Sequence, residues 1–203
     1  MDSQWNGWKV VLASASPRRR ELLGQLGIEP QIRPSGLEEA SEEKQPDLLV
    51  MDLSRKKAED VALGCEPGVM VIGADTVVAV DGTILGKPGN EERAREMVSM
   101  LAGREHQVYT GVTVILCLGE GRFHGSTFAE RTDVSVYPMT GEEIRAYVLS
   151  GEPLDKAGGY GIQGRFAAYI RGIRGDYANV VGLPLGRLYQ EMKNLTKENV
   201  EDD

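Results

Sequence analysis

The sequence predicts an α/β domain built on a mixed sheet with flanking helices. Short apolar runs rich in β-branched residues, Lys9 to Ala13 and Val69 to Ala74, have the composition of buried strands. Capped helical segments are interspersed with them along the chain rather than gathered at one end. An Asp81-Gly82 turn signal inside Val77 to Leu85 adds an antiparallel hairpin, so the sheet is not purely parallel. The 203 residues show no internal repeat and no obvious linker and read as one domain, with a core of about 9–188 and an acidic tail of about 197–203.

The first strand is followed by Ser16-Pro17, an N-cap and a first helical position, opening a helix whose apolar face is Leu22, Leu23 and Leu26 and which Gly27 ends. A short strand is expected through Gln31 to Pro34, then an acidic, proline-interrupted loop from Glu38 to Pro46. Asp47 to Leu63 is the next helix, closed by Gly64. After the second apolar run and the hairpin, Asn90 caps a helix to Leu101. Gln107 to Leu118 and Thr127 to Tyr137 read as longer strands around a glycine-rich turn. Thr140-Gly-Glu-Glu143 is a capping box for a helix ending at Gly151. Glu152 to Gly164 is irregular, Phe166 to Ile173 returns as strand, and Pro184 starts a last helix that frays from Glu198.

Composition narrows the function. Lys plus Arg is 23 against 31 Asp plus Glu, a net charge of -8, which disfavours nucleic-acid and anionic-membrane binding because both need clustered cations. No apolar run reaches the roughly 20 residues of a membrane helix, and Met1 to Trp8 has no secretory pattern. The two cysteines, Cys65 and Cys117, are distant in sequence and outside any CxxC, which argues against a disulfide framework or a thiolate zinc site and fits a reducing, cytoplasmic setting.

Several residues are wrong for stability where they stand. Arg18, Arg19 and Arg20 occupy a helix first turn, where the dipole prefers anions, so an anion site competes there with a solvated basic patch. Lys57 interrupts an apolar stripe with Leu53 and Val61 and either snorkels outward or points inward; Arg55 and Lys56 read as solvated. Asp75 and Thr76 follow the apolar run at a strand's carboxyl end, where ligands of α/β sheets bind; this reading is favoured over an Asx turn because Thr76 adds a hydroxyl and Lys87 follows after the hairpin. Gly86-Lys87-Pro88 is not a Walker motif, since no Ser or Thr follows Lys87. Gly159-Tyr-Gly161-Ile-Gln-Gly164 matches GxGxxG but leads into no helix, so the dinucleotide reading fails; Gln163 could still offer its amide to a nucleobase edge. Glu38-Glu39 reads as solvated loop or as a source of one carboxylate to share Mg²⁺ with Asp75, and His106 and His124 as structural or surface residues.

Taken together, Leu12-Ala-Ser-Ala-Ser-Pro-Arg-Arg19, Glu38-Glu39, Lys57-Ala58, Gly73-Ala-Asp-Thr76, Leu85-Gly-Lys-Pro88, Leu101-Ala-Gly-Arg104, Asp155 to Gly164 and Val180-Val-Gly-Leu-Pro184 resemble, in order, the Maf family of nucleoside triphosphate pyrophosphatases. The resemblance covers about Lys9 to Leu188. It implies an elongated α/β fold with a central cleft, similar to inosine-triphosphate pyrophosphatases. It also implies hydrolysis of a nucleoside triphosphate to monophosphate and pyrophosphate with a divalent metal, Mg²⁺ or Mn²⁺. Thr76 and Gln163 resemble the branch acting on dTTP and UTP, modified pyrimidine nucleotides included. Carried over by resemblance, Asp75 is the proton acceptor, Arg18, Thr76 and Gln163 are specificity positions, and Ser14, Arg19, Glu39, Lys57 and Lys87 are further cleft residues. Glu39 and Asp75 are then the metal ligands. Family members have been associated with septum formation, on which these residues are silent. The substrate is the expected partner, with room for a homodimer. A nucleotidyltransferase, or a non-catalytic nucleotide-binding regulator of cell division, are the rival readings.

Overall fold

The computed structural model describes residues 4–38 and 40–201. Its strands are β1 (Gln4–Trp5), β2 (Trp8–Leu12), β3 (Gln31–Ile32), β4 (Val69–Val80), β5 (Thr83–Leu85), β6 (Glu105–Gly119), β7 (Arg122–Val136) and β8 (Ile170–Arg174). Its α-helices are α1 (Pro17–Gln25), α2 (Pro46–Ala62), α3 (Glu91–Leu101), α4 (Gly141–Val148), α5 (Tyr177–Val181) and α6 (Leu185–Glu201). The strands form a sheet of order β1-β2-β4-β6-β7-β8, with β3 on β2 and β5 on β4. β2 is parallel to β3 and β4, while β1–β2, β4–β5 and β7–β8 are antiparallel, so the sheet is mixed.

The chain forms two compact units, each assembled from separated segments. The first comprises Met1–Asp75, Thr110–Glu130 and Gly182–Asp203, the second Thr76–Tyr109 and Arg131–Val181. The chain passes from one to the other inside β4, β6 and β7.

In the first unit α2 lies directly on the strands, and two glycines make that approach feasible. A β-carbon on Gly73 would sit 2.4 Å from the Ser54 carbonyl oxygen, and one on Gly111 would sit 2.1 Å from that of Val50. Any side chain at either position would therefore push the helix off the sheet. Val11, Ala13, Ala58, Val61, Val71, Ile115 and Cys117 fill the layer between them. Cys65 packs against the same cluster, so cysteines far apart in sequence meet in the fold, both as free thiols. Burial and the neighbouring Cys65 push the Cys117 thiol up to about 11.

In the second unit local signals and structure agree closely. Asp81 and Gly82 both take positive φ, 49° and 76°, as a two-residue turn between β4 and β5 requires. Asn90 caps α3 by accepting from the Arg93 N–H at 2.8 Å, and Thr140 with Glu143 forms a reciprocal capping box on α4. The core gathers Val78, Leu85, Val98, Leu101, Val134, Tyr147, Tyr160 and Phe166.

Four sequence expectations change. Asp75 and Thr76, expected at a strand's carboxyl end or in an Asx turn, lie inside β4, which runs unbroken from Val69 to Val80 into the hairpin. The strand expected over Phe166 to Ile173 begins only at Ile170, and Arg165–Tyr169 is a 3-10 helix instead. Its three-residue repeat puts Phe166 and Tyr169 on one face, where Phe166 is wholly buried with ring centroids 5.1 Å from Tyr147, 4.7 Å from Tyr160 and 5.8 Å from Tyr169. The last helix runs on to Glu201 rather than fraying from Glu198. Ser16 stands at the N-cap of α1 in extended conformation, but its hydroxyl makes no cap bond; Pro17, which has no N–H to satisfy, follows it.

Candidate active site

The close approach of α2 to β4 sets up the first unit's polar centre. Side chains alternate along a strand, so Asp75 emerges on the same face of β4 as Gly73, the face against α2. Ser54, Lys57 and Ala58 share the facing side of α2. The outcome is a direct contact of 2.6 Å from Lys57 Nζ to Asp75 Oδ1, with the two side chains only 13% and 11% exposed. Lys57 thus points inward, and removing either partner of so shielded a pair costs about 3–5 kcal/mol. Its neighbours Arg55 and Lys56 stay at the surface, as the sequence suggested, and make ion pairs there. Arg55 pairs with Asp52 at 2.9 Å and Glu59 at 3.4 Å, and Lys56 pairs with Asp52 at 2.7 Å while donating to the Ala40 carbonyl at 3.0 Å. These surface contacts are each worth less than about 1 kcal/mol.

The three arginines of α1 divide their labour. Arg19 donates from Nη1 to Ser14 Oγ at 3.0 Å and from Nε to the Gly182 carbonyl at 2.9 Å, so it ties α1 to the turn before Pro184. Ser14 Oγ also accepts from the Ser16 N–H at 3.2 Å, shaping the turn between β2 and α1. Arg18 is half-buried beside them. Arg20 forms an exposed ion pair with Glu29 and leaves the cluster, the solvated-patch reading for that residue alone. Ser14, Arg18, Arg19, Lys57 and Asp75 all belong to the first unit.

Thr76, Lys87 and Gln163 belong to the second. Thr76 is half-buried on β4, directly after Asp75; Lys87 and Gln163 are exposed on loops. Those loops are stitched near their starts by the Gly158 N–H donating to the Gly86 carbonyl at 3.0 Å. Glu39 lies outside the described residues; Glu38 is exposed. Among the described residues no three His, Cys, Asp or Glu gather as a metal cage. Mg²⁺ in phosphate chemistry asks for less, one or two carboxylates plus the substrate's own oxygens. A buried carboxylate at Asp75 fits that hard-oxygen donor set.

Other polar groups play structural parts. His106 is wholly buried, with Nε2 2.7 Å from the Tyr160 hydroxyl, and desolvation lowers its pKa to about 4. A groove of about 460 Å³ in the first unit, lined among others by Arg55, Leu63, Ile115, Phe123 and Thr127, contains none of the nominated residues. The Gly182 carbonyl and the Glu152 carboxylate, which accepts from the Tyr147 hydroxyl at 3.1 Å and the Arg165 N–H at 2.9 Å, are polar partners that sequence reasoning missed. Glu152 stood in a stretch without periodicity, and nothing local marks Gly182 as an arginine's acceptor.

Residues 9–195 match the family model described as Maf-like protein. The chain belongs to the Maf family. A dTTP/UTP pyrophosphatase of Agathobacter rectalis is 54% identical over 199 residues, covering 92% of this Maf chain and 97% of that protein. One of Lachnoclostridium phytofermentans is 50% identical over 186 residues, covering 92% and 94%. A solved nucleoside-triphosphatase / dITP/XTP pyrophosphatase of Mycobacterium abscessus aligns over 64% of this chain and 74% of its own at a TM-score of 0.40 and 11% identity, too distant to bear on the site. No described helix is long and apolar enough to cross a membrane.

Proposed function

We propose that this Maf-family chain hydrolyses dTTP and UTP to the nucleoside monophosphate and pyrophosphate. The substrate assignment is supported by relatives of that name at about half identity over nearly the whole chain. The observation that carries the chemistry is the shielded Lys57–Asp75 pair, whose carboxylate is set in the middle of the largely apolar β4. An ion pair there is costly to keep as mere structure, because well-packed apolar residues would serve stability as well or better.

In this reading water attacks the α-phosphorus and pyrophosphate leaves, with no covalent intermediate. Lys57 orients the Asp75 carboxylate through Oδ1, and the other carboxylate oxygen takes the water's proton. Arg18, Lys57 and Lys87 balance a triphosphate of about four negative charges, which is where most of the barrier is lowered in phosphoryl chemistry. Ser14 and Arg19 hold the turn that presents the α1 amino end to phosphate oxygens. Asp75, with Glu39, would hold a divalent cation, Mg²⁺ or Mn²⁺, which supplies further charge neutralisation when bound. Thr76 and Gln163 meet the pyrimidine, Gln163 with one acceptor and two donors. The two free thiols support a reducing, cytoplasmic setting.

Pyrophosphate release from UTP and dTTP, with metal and with no acceptor present, tests the assignment. A transferase would need the acceptor, and a binding protein would take up nucleotide without turnover.

A further inference from the structure

Gln163 sits at the tip of an exposed, glycine-flanked turn, closed by the Gly164 N–H on the Gly161 carbonyl at 3.1 Å. Ile162 packs against the second unit's core from within this turn, while Gln163 beside it is exposed and has its own conformational freedom to lose. Glu152 brackets the turn from below. Its Oε2 accepts from the Arg165 N–H at 2.9 Å, just beyond the turn. Its Oε1 accepts from the Tyr147 hydroxyl at 3.1 Å. Burial first, and then the Glu152 charge, hold the Tyr147 hydroxyl protonated, so it stays a donor to the carboxylate.

The packing agrees with the hydrogen bonds. A β-carbon on Gly164 would lie 2.1 Å from Glu152 Oε1, so the carboxylate occupies the space a side chain would need. On the other flank the Lys156 side chain fills the corresponding space at Gly161, 2.8 Å from Cε. Lys156 is itself fixed by the Glu152 carbonyl at 2.7 Å and Asp155 Oδ1 at 2.6 Å. The foundation is firm, since Tyr147 is buried on α4 against Phe166.

We propose that Glu152, acting through Tyr147 and the Arg165 backbone, is the positioning residue that presents the Gln163 amide to the pyrimidine and so sets base selectivity; this rests on the reading that Gln163 contacts the base. Recognition through hydrogen bonds discriminates only when the donor and acceptor are held in place. Freeing the turn therefore weakens selection among bases more than it weakens hydrolysis.

The test compares kcat and KM for UTP, dTTP, CTP and ATP in wild type, Gln163→Ala, Glu152→Ala, Glu152→Gln and Tyr147→Phe. Gln163→Ala is expected to change the substrate ranking. Glu152→Ala is expected to lower the preference for UTP over ATP at least fivefold, through a raised KM for UTP more than a lowered kcat. Glu152→Gln, which keeps the size and one acceptor oxygen, should recover part of the preference, and Tyr147→Phe should lose part of it. If Gln163→Ala shifts the ranking but Glu152→Ala lowers all four substrates alike, the positioning role is overturned while the base-contact reading stands. If Gln163→Ala leaves the ranking untouched, both fall. Should Glu152→Ala fail to fold, Tyr147→Phe carries the same comparison, and an unchanged ranking there overturns the proposal.

Discussion

Asp75 and Lys57 show how much a single contact decides. Asp75→Asn keeps the shape of the side chain and an oxygen to accept from Lys57, so the fold should survive while the proton acceptor is lost. The expected result is a fall of about 10²–10⁴-fold in pyrophosphate release from UTP, with an unchanged circular dichroism spectrum; wild-type turnover would remove Asp75 from its role. His106 gives a prediction of another kind. Its folded pKa, about 4, lies below the ordinary 6.5 because burial disfavours the charged ring. Between those values the unfolded chain binds the proton and the folded one does not, so this contribution is full above 6.5 and drains away as pH falls towards 4. From pH 7 to pH 5 the loss is about 2 kcal/mol. Urea titrations at the two pH values should show it in wild type and not in His106→Phe.

At the scale of elements, the argument turns on what holds α2 to the sheet. Gly73→Val must open a gap where the Ser54 carbonyl now sits 2.4 Å from the space a β-carbon would take. The substitution should lower the melting temperature and, by drawing Lys57 away from Asp75, turnover as well. A Thr140→Ala change in the α4 capping box is the contrast. It should cost about 1 kcal/mol in urea unfolding and leave UTP turnover near wild type. The same elements show which parts of the fold were legible. Asn90, Thr140 with Glu143, and Asp81-Gly82 act on backbone groups within three residues, so the sequence displays them whole. β1 and α5 are two and five residues long, below the length at which periodicity speaks. The 3-10 helix at Arg165–Tyr169 answers to rings contributed by Tyr147 and Tyr160, and alternation along Phe166 to Ile173 is blind to them.

For the whole molecule, charge and chain path matter most. A net charge of -8 disfavours a long polyanion such as DNA, whose binding needs clustered cations. Fluorescence anisotropy of a labelled DNA duplex at about 0.15 M salt should show no binding; saturable binding would contradict the charge argument. The candidate site was legible to a similar degree. Lys57 and Asp75 stood out because a charge in an apolar helix stripe or directly after an apolar run is locally anomalous; that β4 continues through Asp75 was not visible, since the run breaks at the Asp75-Thr76 pair. Arg19 with Ser14 and Gly182 was not, since its carbonyl partner lies 163 positions further along the chain. That separation has a consequence for biosynthesis. The first unit draws on residues from Gly182 onward, so a ribosome must add 163 positions after Arg19 before that side chain meets its acceptor. A nascent chain halted short of Gly182 still lacks the carbonyl that fixes Arg19 and the last segment of the first unit.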